Sequence, residues 1–169
     1  MTTIKLDTII NAPMALVFDV SRDLDIHLKS TKQTQEKIIA GKSSGLIALN
    51  ETVTWKAKHF GFWLTHKSRI TEMQFPLYFV DEMEKGNFKS FRHEHAFTEK
   101  NGLVIMSDRL HYETPYGIFG KLFDRLLLKK YLTNFIGRRN VLLKQLSEQQ
   151  HQNPPENRNG FHPERSIIS

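Results

Sequence analysis

Two histidines, His93 and His95, stand in a run that alternates apolar and polar residues. Phe91, His93, His95 and Phe97 fall on one side of it, and Ser90, Arg92 and Glu94 on the other. On an extended strand this spacing points both imidazoles to the same face. A carboxylate, Asp108, occupies the next alternating run, in phase with Val104, Met106, Leu110 and Tyr112. Asn101-Gly102 between the two runs is a strong hairpin signal. A two-residue turn there sets Lys100 opposite Leu103, Phe97 opposite Met106 and His95 opposite Asp108. A four-residue loop would bring His93 opposite Asp108 instead. Either register places a histidine beside a carboxylate on an apolar face, where an unpaired charge is costly. Such a pair can satisfy itself as a buried bridge. It can also anchor a ligand's hydroxyl, carbonyl or carboxylate. As a third use, it can exchange protons near neutral pH.

Other candidate groups surround this pair. Trp55, Ala57 and His59 share the apolar side of Thr52 to His59. His-x-His together with His59 and Asp108 offers metal-ligand types, but the signal is common by chance, and no metal or other cofactor is expected. Asp81-Glu82 lies in a strand, so its carboxylates point to opposite faces. A two-residue turn at Gly86-Asn87 would turn Glu82 inward, and one further loop residue would turn Asp81 inward. No nucleophile elbow and no glycine-rich phosphate loop is present.

These side chains need a frame. Thr3 to Ile10 alternates as a half-buried strand. Asn11 and Pro13 then suit a helix start, with Asn11 as the cap and Pro13 in the first turn. Leu16, Val17 and Val20 follow at helical spacing, and a second short helix fits Leu24 to Ser30. Ile38-Ile39 reads as an edge strand. Strands then run from Thr52 to Glu113, separated by turn signals at Gly61, Pro76, Gly86-Asn87 and Asn101-Gly102. From Gly117 to Gln149 the pattern is helical, with two apolar stripes. Phe119, Leu122, Phe123, Leu126 and Leu127 form one, and Leu128, Leu132, Phe135, Ile136, Leu143 and Leu146 belong to the other. On a straight helix these lie on nearly opposite sides. Either the helix breaks near Leu127-Leu128, or it continues and its first turns face away from the sheet. The first segment has three candidate uses: packing under neighbouring elements, contact with a second copy, or contact with an anionic membrane through its basic flanks. Arg138-Arg139 adds charge or forms a solvated face.

The order is strand, two short helices, several antiparallel strands and a long helix. The opening strand into Asn11-Ala-Pro13, then Val53-Thr-Trp55-Lys-Ala57-Lys-His59-Phe-Gly61, then Phe79-Val-Asp81-Glu82, resembles the START-like or SRPBCC superfamily. Phe91 to Phe97, Met106-Ser-Asp108, Pro115-Tyr-Gly117 and Arg138-Arg-Asn140 extend the resemblance over about residues 3 to 147. The resemblance implies an α+β helix-grip fold, with a curved antiparallel sheet of six to seven strands wrapped around the C-terminal helix. It is also similar to groups that include carriers, receptors and polyketide cyclases, so it speaks more to fold than to function.

On this frame the cavity-facing, ligand-binding candidates are Trp55 and His59, then Phe91, His93, His95 and Phe97, then Met106, Asp108 and Tyr112. The leading expectation is a binding protein, carrier or sensor, for a hydrophobic small molecule or lipid. The alternatives are a cyclase- or hydratase-like enzyme using His95 and Asp108, and an interaction domain using the basic helix 117–130. The formal charge of +6 would favour anionic partners, though basic residues spread over strand faces also make an ordinary soluble surface. No helix-turn-helix or zinc-knuckle spacing supports nucleic-acid reading. With 39% apolar and 25% charged residues and no cysteine, the 169-residue chain reads as one globular domain over 1–149 with a flexible polar tail over 150–169. Phe161 or Ile167-Ile168 gives the tail an apolar means of docking back on the domain. The opening residues lack a signal-peptide pattern, and a cytoplasmic monomer or weak homodimer is expected.

Overall fold

The computed structural model describes residues 1–153. Residues 154–169, which hold most of the expected tail together with Phe161 and Ile167-Ile168, lie outside the described residues.

Strand β1 (Thr2–Ile10) leads into helices α1 (Met14–Ser21) and α2 (Leu24–Ser30). Six strands follow: β2 (Lys37–Gly41), β3 (Thr52–His59), β4 (Phe62–Gln74), β5 (Tyr78–Lys85), β6 (Ser90–Lys100) and β7 (Leu103–Glu113). They form one antiparallel sheet in the order β1-β7-β6-β5-β4-β3-β2, with Ile38 in an edge strand as the pattern implied. Register shifts in β2 and β4 mark bulges, which bend and twist a sheet toward a concave shape. The concave face grips the long C-terminal helix. It is the α+β helix-grip arrangement, with seven strands and two short helices after the first.

The Asn101-Gly102 turn has the two-residue form. Both residues have positive φ (54° and 74°), and Lys100 pairs with Leu103. His95 therefore stands directly opposite Asp108. The β5–β6 connection is longer, so Asp81 pairs with His93 and Glu82 with Arg92. Asp81 is the carboxylate turned inward. Glu82 lies outside, 2.9 Å from Arg92 Nε.

One cap differs from the sequence reading. Pro13, not Asn11, is the residue before the first helical turn of α1, and no side chain caps it. Asn11 instead donates its backbone N–H to Glu148 near the end of the long helix. Asp23 does cap α2, accepting from the N–H groups of Asp25 and Ile26.

The C-terminal helix is continuous. It starts as α3 (Gly117–Phe123), passes through a π turn at Asp124–Leu128, and runs on as α4 (Lys129–Gln152). The wider turn changes the helix's phase, so each apolar stripe keeps its own direction. The second stripe faces the sheet, with Ile136 and Leu143 buried. The first stripe is exposed, so packing beneath a neighbouring element is not its role.

Buried apolar residues fall into two clusters rather than one. The larger joins α1 and α2 to the sheet around Phe18, whose ring lies 5.2–5.4 Å from those of Phe75, Phe79 and Phe97. The smaller joins β1 and β7 to the start of the long helix through Ile4, Leu110, Tyr112, Leu128 and Ile136. No helix of the described residues is long and apolar enough to cross a membrane.

Candidate ligand-binding cavity

A cavity of about 210 Å³ is lined by residues of β3–β6, the first helices and α4, with Leu110 of β7. Its volume exceeds the roughly 150 Å³ void that suffices for benzene. Most of its wall is apolar. Trp55, Ala57 and Ile70 line the sheet side, and Leu132, Phe135 and Ile136 line the helix side. Strand alternation delivers the first set and helical spacing the second.

His27, Glu36, His59 and His66 are among the cavity's polar lining residues, and a further polar group is built in one corner around Asp108. His93 and His95 project from β6, Asp81 from β5 and Arg139 from α4. Behind the imidazoles lies Asp108, only 1% exposed. His93 Nε2 donates to its Oδ1 at 2.9 Å, and Asn140 Nδ2 donates to its Oδ2 at 2.6 Å. His95 Nδ1 lies 3.0 Å from the same Oδ1 but is not aligned as a hydrogen bond, so that contact is chiefly ionic. On its other side, His95 Nε2 lies 3.5 Å from Asp81 Oδ2. The two imidazole centroids lie 3.9 Å apart, with the rings tilted by 40°.

The charges follow from these neighbours. Burial alone would raise Asp108, but His93 and His95 hold its pKa well below the usual carboxylate value. Burial would also raise Asp81, yet the hydrogen-bond geometry to His95 and the charges of both histidines bring it down to about 2. His95 is pulled down by burial and pushed up more strongly by Asp108 and Asp81, so its net shift is upward. His93 goes the other way, because burial and the neighbouring His95 outweigh its bond to Asp108. Two ionised carboxylates thus face one guanidinium, and His95 is the imidazole best placed to carry the balancing proton.

Arg139 supplies that guanidinium. Its Nη2 donates to the Ser21 carbonyl at 2.8 Å. Its Nη1 stands 3.9 Å from Asp108 Oδ1, and it is buried without a hydrogen-bond partner. Burial lowers its pKa, and Asp108 and Asp81 partly offset this. Asp81, His93 and His95 also bring one donor atom each within 4.8 Å of one another, a spacing that could hold a divalent ion. The guanidinium in the same corner opposes a second cation there.

Of the nine candidates read from sequence, Trp55, His59, Phe91, His93 and His95 line the cavity. The other four do not. Phe97 is packed against Phe18 and Phe79, and Met106 receives a Ser21 Oγ contact at 3.3 Å beneath α1. Tyr112 turns its hydroxyl to Asp124 of the π turn, and Asp108 is covered by its own partners. All four point inward as alternation requires, but helices cover their part of the sheet. His59 shares a 2.6 Å hydrogen bond with the Tyr131 hydroxyl, and burial lowers its pKa. Trp55 is stacked on His27 at 4.3 Å, and His27 reaches Glu36 at 3.3 Å. The sequence named Arg139 only as added charge or a solvated face and not among the cavity residues, and Arg138-Arg139 does not form one solvated face: Arg139 is buried. The signal was its place three residues after Ile136 and four before Leu143.

No family model matches this sequence, and no curated protein is significantly similar to it. Solved structures are similar in shape. A Thermus thermophilus protein superposes with a TM-score of 0.68 at 17% identity, covering 86% of this chain and 99% of its own. A START superfamily protein from Mycobacterium smegmatis gives 0.65 at 11%, covering 87% and 97%. The Zhui aromatase/cyclase from Streptomyces sp. R1128 gives 0.65 at 12%, covering 88% and 94%. The fold shared with them is the helix grip. At these identities the likeness extends to the fold alone.

Proposed function

We propose that the protein binds a small hydrophobic molecule inside the helix grip and orients it by one polar group. The observation that carries this reading is the polar corner of a mostly apolar cavity, where Arg139, its Nη1 buried without a hydrogen-bond partner, lines the wall with Asp81, His93 and His95. A buried donor without an acceptor costs about 1–3 kcal/mol, and a ligand oxygen offsets that cost. Asp81, on the same wall, can accept a hydrogen bond from a ligand hydroxyl. The corner already holds two carboxylates, so a neutral hydroxyl or carbonyl suits it better than a further anion. The volume suits a compact one- or two-ring compound more than a long-chain lipid. That the Zhui aromatase/cyclase shares the fold is in keeping with a cavity put to use.

The test is mass spectrometry of the organic extract of natively purified protein. Wild type is expected to release a compound of this description. Ala57→Phe, which fills the cavity from β3, is expected to release none while keeping its circular dichroism spectrum. An identical extract from both proteins would refute the reading.

A further inference from the structure

The exposed stripe of the C-terminal helix is the largest feature that the cavity leaves unexplained. Tyr116, Ile118, Phe119, Leu122, Leu126 and Leu127 are all exposed, Phe119 by 79% and Leu126 by 64%. On the adjoining β3–β4 turn, Phe60 and Phe62 are exposed as well, and the Phe60 ring lies 5.5 Å from that of Phe123. Soluble domains rarely leave so many large apolar side chains together in water.

The charges beside them have one sign. Lys121, Arg125, Lys129 and Lys130 are exposed on the same segment. Its only acid, Asp124, is buried and accepts hydrogen bonds from the Tyr112 and Thr2 hydroxyls. The sheet thus removes the single negative charge from this face. Gly120, Asp124 and Leu128 are buried, and the π turn keeps the residues between them pointing outward. An apolar face whose own segment exposes only cations complements a bilayer with anionic headgroups: the side chains enter the acyl boundary and the cations meet phosphates. A protein partner with an acidic rim would match the charges, but nothing here shapes a groove for one.

We infer that residues 116–130, with Phe60 and Phe62, form a docking face for anionic phospholipid membranes. The face adjoins the cavity. Phe60 follows cavity-lining His59 and packs on Tyr131 at 4.6 Å, and Tyr131 bonds to His59. Docking therefore sets one wall of the cavity beside the bilayer surface. The inference stands on surface residues and holds whether or not the cavity's occupant is as proposed.

Flotation of the full chain with vesicles tests it, using phosphatidylcholine alone and phosphatidylcholine with phosphatidylglycerol. Wild type is expected to float with the anionic vesicles at low salt and to be released as salt rises. Lys129→Gln with Lys130→Gln should weaken binding about 25-fold, roughly fivefold per charge. Phe119→Ser with Leu126→Ser should abolish it. Both pairs are exposed, so unchanged thermal melting serves as the folding control. Failure to float at low salt overturns the inference, as does flotation that is indifferent to the serine pair. Two further results overturn it by naming another occupant. One is a concentration-dependent dimer in sedimentation velocity that the serine pair dissolves, without vesicle binding. The other is flotation only by a chain ended at Asn153, which would make residues 154–169 the cover.

Discussion

Asp108 organises the polar corner without touching the cavity. Its oxygens take the His93 bond, the His95 contact and the Asn140 bond, so three side chains lose their shared acceptor if it goes. Breaking a buried ion pair by removing one partner costs about 3–5 kcal/mol. Asp108→Asn is expected to lose about that much, measured by urea unfolding at neutral pH. The pH dependence has a definite sign. The folded pKa of Asp108 is depressed, so its contribution is present above the unfolded value of about 3.9 and fades as pH falls toward the folded value. The difference between wild type and variant should accordingly shrink below about pH 4. His95 is raised, so its contribution is full below about pH 6.5 and is lost as pH rises through its folded pKa. His93 is depressed, so its contribution is present above about pH 6.5 and is lost as pH falls through its folded value, and the two histidines together place a maximum of stability near about pH 6.5. In Asp108→Asn, burial acts on His95 with one carboxylate fewer opposing it. Its pKa should drop, as read from imidazole NMR shifts. An unmoved His95 titration would mean that Asp108 does not hold the proton.

The start of the C-terminal helix depends on close approach. Gly120 packs so tightly on the preceding turn that an added Cβ would fall 1.8 Å from the Pro115 carbonyl oxygen. Gly120→Ala must push α3 away from residues 114–116, at an overpacking cost of about 1–3 kcal/mol. Amide exchange is expected to speed up across 117–128 and to stay unchanged in 136–147. Uniform acceleration along the whole helix would show that the two parts unfold together. Sequence legibility also divides at the scale of elements. The Asn-Gly hairpin could be read because two residues of turn type determine a whole register, and with it the opposition of His95 and Asp108. The inward choice between Asp81 and Glu82 could not, since one loop residue after Gly86-Asn87 reverses the face. Alternation also says nothing about depth. Phe97 and Met106 share a face with His95, but α1 covers them. Arg139 and Asn140 reach the site only because α4 docks at a particular rotation, which depends on all its partners at once. The π turn reconciles two stripes that a straight helix could not, and periodicity registered it as a conflict rather than a shape.

Across the whole molecule, the grip leaves its core divided. One apolar cluster gathers under α1 and α2, the other at the β1–β7 side under the start of the long helix, and residues of both reach the cavity wall. An empty space between two clusters forfeits dispersion contacts that a continuous core would have, and the unpaired Arg139 Nη1 adds a desolvation cost. A ligand that fills the space and meets that donor binds the folded state only. At a free concentration of 100 times its Kd it adds about 2.7 kcal/mol. For a chain of this length that is a rise in Tm of about 5–10 °C. Protein stripped of its extractable compound should therefore melt lower than protein as purified, and should regain the difference, with the dependence on ligand concentration that linkage requires, when the compound is returned. Ala57→Phe closes the space with its own side chain, so its Tm should not respond to stripping or to addition. If stripping leaves the wild-type Tm unchanged, the cavity is an intrinsic gap in the grip and the two clusters hold the fold without an occupant.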